Sequence, residues 1–120
     1  VFAEVVVSYG ASADLLDTSD SYLGLAAAVA TGDKIKWIAI KNISTTSTEG
    51  VAINIAGGGA AYDTGDNLYL GNGEIVILKL PNCLVSSLQA RTCTLDSDGK
   101  PTAQGTATVS CQVAAILEDV

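Results

Sequence analysis

Short apolar segments, separated by turns of Gly, Asn, Asp, Ser and Thr, follow one another along the whole chain. Most of these segments are rich in Val and Ile, which is typical of strands, and none has the periodicity of an amphipathic helix of ten or more residues. Strands are predicted at residues 2–9, 22–30, 35–43, 51–55, 68–70, 74–80 and 87–95 and within 102–117. The pattern predicts an all-β fold, an antiparallel β-sandwich or small barrel (jelly-roll-like) of about seven or eight strands.

The clearest strand is residues 35–43, whose apolar positions do not alternate perfectly, as expected of a central strand. A polar loop, residues 44–50, separates it from residues 51–55, so these two strands are predicted to form a β-hairpin. Trp37 lies in the middle of its strand and is assigned to the core. Lys34, Lys36 and Lys41 are interpreted as solvent-facing positions.

Turn residues divide the second half of the chain. Residues 71–73, Gly-Asn-Gly, tolerate positive φ and predict a tight turn before the strand at 74–80, which Pro81 is expected to end. Residues 96–99, Asp-Ser-Asp-Gly, predict a hairpin turn. The final strand is expected to place Val109, Cys111 and Val113 on one face.

Both chain ends are apolar. Residues 1–9 and 114–120 either pair within their own domain or add a strand to a neighbouring subunit, and the sequence favours neither. The first four residues have no signal-peptide character, and the absent start Met fits either Met removal or proteolytic maturation. With no linker or repeat, residues 1–120 are predicted to be one β domain.

Composition narrows the function. The chain has no His, so the commonest general base and metal ligand is missing, and we expect neither an enzyme nor a cofactor. The net charge is −7, and the basic residues form no block, which disfavours nucleic-acid binding. These residues are Lys34, Lys36, Lys41, Lys79, Lys100 and Arg91. No apolar run is long enough to span a membrane, so no membrane partner is expected.

Three cysteines, Cys83, Cys93 and Cys111, are an odd number and contain no Cys-x-x-Cys pair. Buried free thiols are the favoured interpretation. A disulfide of Cys93 with Cys83 or Cys111 is the alternative, with the third thiol left over or bridging subunits. A catalytic thiol would have no His to activate it.

Other candidate chemistry is weak. Residues 57–59, Gly-Gly-Gly, follow a strand but lack the Lys of a phosphate-binding loop, so a bend or close packing is preferred. Three aspartate groups could offer oxygens to Ca²⁺ but do not match an EF-hand, and turn formation is preferred. These groups are Asp14, Asp17 and Asp20; Asp63 and Asp66; and Asp96 and Asp98. No catalytic, cofactor-binding or metal-binding residue is therefore assigned.

The order of segments between residues 38 and 113 resembles that of small β-sandwich virion proteins of tailed bacteriophages, of the head-decoration and tail-accessory kind. The segments are Ile-Lys-Asn-Ile-Ser-Thr-Thr at 40–46, Gly-Asn-Gly-Glu at 71–74, the strand at 75–80 with Pro81, Leu-Gln-Ala at 88–90 and Gly-Thr-Ala-Thr-Val at 105–109. The resemblance covers about two thirds of the chain and implies symmetric self-assembly and docking onto a capsid or tail. It carries over no catalytic residue.

The sequence thus predicts a non-enzymatic viral structural protein, a phage capsid decoration subunit that acts by self-association and interface burial. Its expected partners are further copies of itself and a major capsid or tail protein, and its expected location is the virion. The first alternative is a tail or adaptor protein or an extracellular filament subunit. The second is a carbohydrate- or Ca²⁺-binding β-sandwich module.

Overall fold

Two antiparallel sheets make up the computed structural model, which describes residues 2–7, 13–14, 32–55 and 67–118. The first sheet has the order β1 (Phe2–Val7), β9 (Val109–Glu118), β3 (Lys34–Asn42) and β6 (Ile75–Leu84). The second has the order β2 (Ala13–Asp14), β7 (Gln89–Leu95), β4 (Glu49–Asn54) and β5 (Asn67–Leu70), and β8 (Pro101–Gln104) also pairs with β7. A turn of 3₁₀ helix, Val85–Ser87, joins β6 to β7. The predicted all-β, antiparallel fold is confirmed.

The core lies between the two sheets, which is the arrangement of a β-sandwich. Buried side chains from β3, β6 and β9 meet those from β4, β5 and β7 in one apolar cluster. The largest fully buried members are Ile35, Ile38, Ile40, Ile53, Leu88, Val51, Val85, Val109 and Val113. The predicted inward face of the last strand is confirmed, because Val109, Cys111 and Val113 are all buried.

The predicted hairpin between residues 35–43 and 51–55 is wrong. β3 is central, as its pattern indicates, and pairs with β6 on one side and β9 on the other, so it has no edge left for β4. β4 instead pairs with β5 and β7 in the second sheet. The polar loop after β3 therefore crosses from one sheet to the other, and the two apolar strands meet through their side chains rather than through backbone hydrogen bonds.

Asn42, the last residue of β3, is fully buried and stabilises the connection that crosses from β3 to β4. Its side-chain NH₂ donates to the carbonyl oxygens of Glu49 (3.1 Å) and Leu70 (3.2 Å), which lie in β4 and β5 of the other sheet. Its side-chain oxygen accepts from the backbone N–H of Ser44 at 2.9 Å. Its backbone N–H donates to Glu74, and its carbonyl accepts from Gly73. One residue thus links the two connections that pass between the sheets at this end of the sandwich, from β3 to β4 and from β5 to β6.

The assignment of Trp37 to the core is also wrong, because its side chain is 46% exposed. Ile35 and Ile38 are both buried, whereas a regular strand would point two residues three apart to opposite faces. The register of β3 against both neighbours shifts between Ile35 and Trp37, as in a β-bulge. The bulge turns Trp37 away from the core and onto the other face of the first sheet.

Pro81 does not end its strand as predicted, because β6 continues to Leu84. Within the described residues β6 is an edge strand, with β3 on one side only. A proline is tolerated in an edge strand because it lacks an N–H group, and on the unpaired side of the strand no hydrogen bond to a neighbouring strand is lost. The irregular register opposite Ile35 and Trp37 lies at this part of the strand.

Both predicted turns are confirmed. Gly73 has φ of 73°, and the N–H of Glu74 donates to the carbonyl of Gly71. The side-chain oxygen of Asp96 accepts from the N–H groups of Asp98 and Lys100, both at 2.9 Å, in the hairpin between β7 and β8. This aspartate therefore shapes a turn, which is the preferred interpretation of its group.

The two chain ends pair with each other. β1 runs antiparallel to β9 from Phe2 opposite Ala114 to Val7 opposite Val109, so the intramolecular alternative holds for these residues. The short strand predicted at 68–70 is confirmed as β5. The strand predicted at 22–30, the glycines at 57–59 and the aspartates at 17, 20, 63 and 66 lie outside the described residues.

We expect Asn42→Asp to lower the free energy of unfolding by about 3 kcal/mol, because a buried carboxylate would face two carbonyl oxygens that have lost their donor. Urea denaturation at neutral pH measures the change. Asn72→Asp is the matched control, since Asn72 is exposed in the turn before β6, and it should change stability by less than about 0.5 kcal/mol. Equal effects of the two changes would contradict this role for Asn42.

Candidate functional site

The outer face of the first sheet, which is the face opposite the core, is formed by alternate residues of β6, β3 and β9. The backbone register aligns them in three rows across the strands. The rows are Ile75, Lys41 and Gln112; Ile77, Ala39 and Ala114; and Lys79, Trp37 and Ile116. The register thus gathers on one surface residues that are far apart in the sequence.

Large apolar side chains on this outer face are exposed. Trp37 is 46%, Ile75 57%, Ile77 65% and Ile116 63% exposed, and all four lie on the three rows. Contiguous exposed apolar patches of this kind on soluble proteins mark surfaces that contact other molecules. The outer face is therefore the candidate functional site of the chain.

The sequence of these strands explains why both faces are apolar. Residues 75–78 and 114–117 are continuous apolar runs, which are typical of strands covered on both faces. The core covers the inner residues, such as Leu78 and Ala115. Among the described residues, no element packs over the outer residues Ile77 and Ile116. The pattern therefore indicates a second layer that the described residues do not supply.

An apolar groove of about 250 Å³ lies at the centre of the outer face. The small side chains of Ala39 and Ala114, neighbours in the middle row, form its floor. The larger side chains of Trp37, Ile77 and Ile116 form its walls. Small residues surrounded by large ones create a depression that a bulky apolar side chain of another molecule would fill.

Lysines surround this groove. Lys41 and Lys79 lie in the first and third rows, and Lys36 forms an ion pair with Glu118 beside Ile116. The hydrogen bond and the positive charge from Lys36, with a smaller contribution from Lys34, lower the pKa of the exposed Glu118 carboxyl. Both side chains are exposed, so this pair marks the charge of the face rather than adding much stability.

A second concave region lies at the end of the sandwich where the chain crosses between sheets. Its volume is about 320 Å³, and hydroxyl-bearing side chains from the 43–48 loop and from Thr108 and Ser110 line it. Its carboxylate, Glu49, accepts a hydrogen bond from the Ser44 hydroxyl. A serine nucleophile also needs donors that stabilise the oxyanion it generates, and the residues that line this region are hydroxyl side chains, Ile43 and this one carboxylate. This region therefore has the polar lining of a solvated loop.

All three cysteines are free thiols, and the predicted burial is confirmed for Cys93 and Cys111, whereas Cys83 is only partly buried. Burial raises the pKa of the Cys93 thiol to about 11 and that of Cys111 to about 12, and it also raises the pKa of the half-buried Cys83. A nucleophilic or metal-binding cysteine needs the opposite shift, since the thiolate is the reactive form. The three thiols are therefore apolar packing groups.

Metal binding and membrane insertion are two further functions that the described residues bear on. Residues 2–7, 13–14, 32–55 and 67–118 contain no group of three or more Cys, Asp or Glu side chains that could hold a metal ion. They also contain no helix long and apolar enough to cross a membrane.

Sequence reasoning missed the outer face. It placed Trp37 in the core and described the lysines as forming no block, yet the β3–β6 pairing brings Lys79 to the face on or beside which Lys34, Lys36 and Lys41 of β3 lie. The available signal was the continuous apolar run of residues 75–78, which requires cover on both faces. Comparison with protein-family models, curated proteins and solved structures finds no match to this chain.

We expect Cys93 and Cys111 to resist alkylation by iodoacetamide in the native protein at pH 8, because raised pKa values leave little thiolate and burial blocks access. Cys83, which is half-buried, should react first but slowly. Mass spectrometry of the intact chain measures the modification, and the guanidinium-unfolded chain, in which all three should react, is the control. Rapid labelling of one thiol in the native state would reveal an activated cysteine.

We expect Ile77→Gln and Ile116→Gln to leave the free energy of unfolding within about 0.5 kcal/mol of the original, because both side chains are mostly exposed. Both changes should reduce the fluorescence of the apolar dye 8-anilinonaphthalene-1-sulfonate bound to the native protein. Ile55→Gln, at the less exposed Ile55 beyond β4, is the control that should not. A large loss of stability from either outer-face change would show that another part of the chain covers this face.

Proposed function

We propose that this chain is a non-enzymatic structural protein of a virion, specifically a decoration subunit that docks on a capsid protein through the outer face of its first sheet. The observation that carries the proposal is the exposed apolar groove with lysines around it. A decoration subunit acts by burying such a surface against the shell, so its work requires a stable fold and a complementary face but no reactive group.

The strand and turn order described above, which resembles small virion proteins of tailed bacteriophages, directs the proposal to virions. The non-enzymatic part is supported by the absence of His from the chain and by thiols whose pKa values are raised rather than lowered. Self-association remains part of the proposal. The β1–β9 pairing leaves β1 at the edge of the first sheet among the described residues, so a neighbouring copy could add a strand there.

The alternatives draw different support. A tail or adaptor protein would use the same outer face, so the location of the chain within the particle distinguishes it from a decoration subunit. A Ca²⁺-binding module has no supporting observation in the described residues, where Asp96 is engaged in shaping its turn. A carbohydrate-binding module would need aromatic residues to stack on sugar, and among the described residues that line the groove Trp37 is the one aromatic.

Virus particles purified by density gradient from the source of this sequence provide the test. Quantitative mass spectrometry with labelled peptide standards should find the chain in the particles at a copy number that is a simple fraction of the shell protein's. Mild guanidinium should release it while the shells stay intact. Enrichment in isolated tails would favour the tail protein. Absence from the particles, with the chain remaining in the soluble fraction, would contradict the virion proposal.

A further inference from the structure

We propose that the outer face of the first sheet binds a different protein, whose contact surface presents a bulky apolar side chain flanked by carboxylates, and does not bind the same face of a second copy. This inference rests on the proposed function, because it specifies the partner of that same docking face. Three observations support it, namely the shape of the groove, the distribution of the lysines and the charge of the rest of the chain.

The groove accepts the tip of a side chain. Its floor of Ala39 and Ala114 lies below the tops of Trp37, Ile77 and Ile116, and its volume of about 250 Å³ suits a bulky apolar group. Apolar depressions at the centre of an interface contribute much of its energy once the partner has excluded water from them, and aromatic residues are common among their occupants. The groove is shallow and open, so the apolar part of the partner is a side chain that reaches its alanine floor while the surrounding surface covers Trp37, Ile77 and Ile116.

The charge of the face is opposite to that of the protein. The chain has thirteen acidic and six basic residues, yet Lys34, Lys36, Lys41 and Lys79 all lie on or beside this face. Two carboxylate residues lie on this face: Glu118, which Lys36 engages, and Glu4, which the register of β1 against β9 places in the row of Lys41 and Gln112. A basic rim on an acidic protein attracts a partner with carboxylates around its apolar centre and repels one with lysines.

The same distribution disfavours pairing of the face with itself. A two-fold contact would bring Lys41 and Lys79 of both copies around one apolar centre, and such like-charge contacts are unfavourable. Lys34, Lys36, Lys41 and Lys79 outnumber Glu118 and Glu4 on or beside this face, so its excess charge is positive. The overall charge of −7 likewise opposes binding to an anionic membrane or to nucleic acid.

Titration of the ¹⁵N-labelled full chain by NMR tests the inference with three capped hexapeptides. Each has Leu-Phe at its centre, and its four flanking residues are all Glu, all Gln or all Lys. We expect the Glu peptide to shift the Trp37 indole N–H and the amides of Ala39, Ile77 and Ala114. It should bind about tenfold more tightly than the Lys peptide, a ratio that 0.5 M NaCl reduces toward one.

Two charge reversals provide matched variants. Lys79 lies in the third row of the outer face, and Lys100 lies in the exposed turn between β7 and β8. Replacing either lysine by Glu changes the net charge by the same amount. Lys79→Glu should remove most of the preference for the Glu peptide, whereas Lys100→Glu should leave it largely unchanged. Equal effects of the two reversals, or equal binding of the Glu and Lys peptides by the original chain, would overturn the inference.

Two further measurements separate this inference from the proposed function. In sedimentation velocity, Ile77→Gln should leave the oligomeric state of the isolated chain unchanged, because the outer face does not contact a second copy. In a second assay, the chain should not co-sediment with vesicles of phosphatidylserine and phosphatidylcholine. Association through the outer face, or vesicle binding, would overturn the inference about the partner and leave a virion role open. Absence of the chain from virus particles would overturn the virion role and leave the peptide result intact.

Discussion

The buried amide of Asn42 is the constraint on which the arrangement of the two sheets depends. It bonds to β4 and β5 of the second sheet from the end of β3 in the first. The chain leaves the first sheet at this point, so β4 lies in the second sheet and both edges of β3 pair with β6 and β9. The two apolar strands β3 and β4 therefore face each other across the core. One satisfied polar group therefore links the two sheets at the point where the chain passes between them.

The exposed apolar face follows from this arrangement. β6, β3 and β9 each carry apolar residues on both faces, and the second sheet covers only one of them. The bulge between Ile35 and Trp37 then places the largest side chain of the chain on the uncovered face. Exposing such a face to water costs free energy in an isolated subunit, and burying it against a partner removes that cost.

Local signals predicted the fold class better than the pairing of its strands. The turn at 71–73, the hairpin turn at 96–99 and the inward face of Val109, Cys111 and Val113 follow from residue type and period-two alternation. The connection after β3 could not be read in this way, since a polar loop of this length suits a hairpin or a sheet-to-sheet crossing equally well. Trp37 was misplaced because a one-residue bulge changes the face of every residue beyond it. The position of Lys79 beside the lysines of β3 depends on which strands pair, and strand pairing is not encoded locally.

Trp37 is the only tryptophan of the chain, so its fluorescence reports directly on the outer face. The most direct measurement is acrylamide quenching of Trp37 fluorescence, first in the isolated chain and then in the chain bound to virus particles. The particles are grown with a non-fluorescent tryptophan analogue, so that Trp37 of the added chain is the only fluorescent tryptophan in the sample. The account predicts strong quenching in the free chain and several-fold weaker quenching in the particle. Equal quenching in both would show that the outer face stays exposed to solvent and would contradict its role as the docking surface.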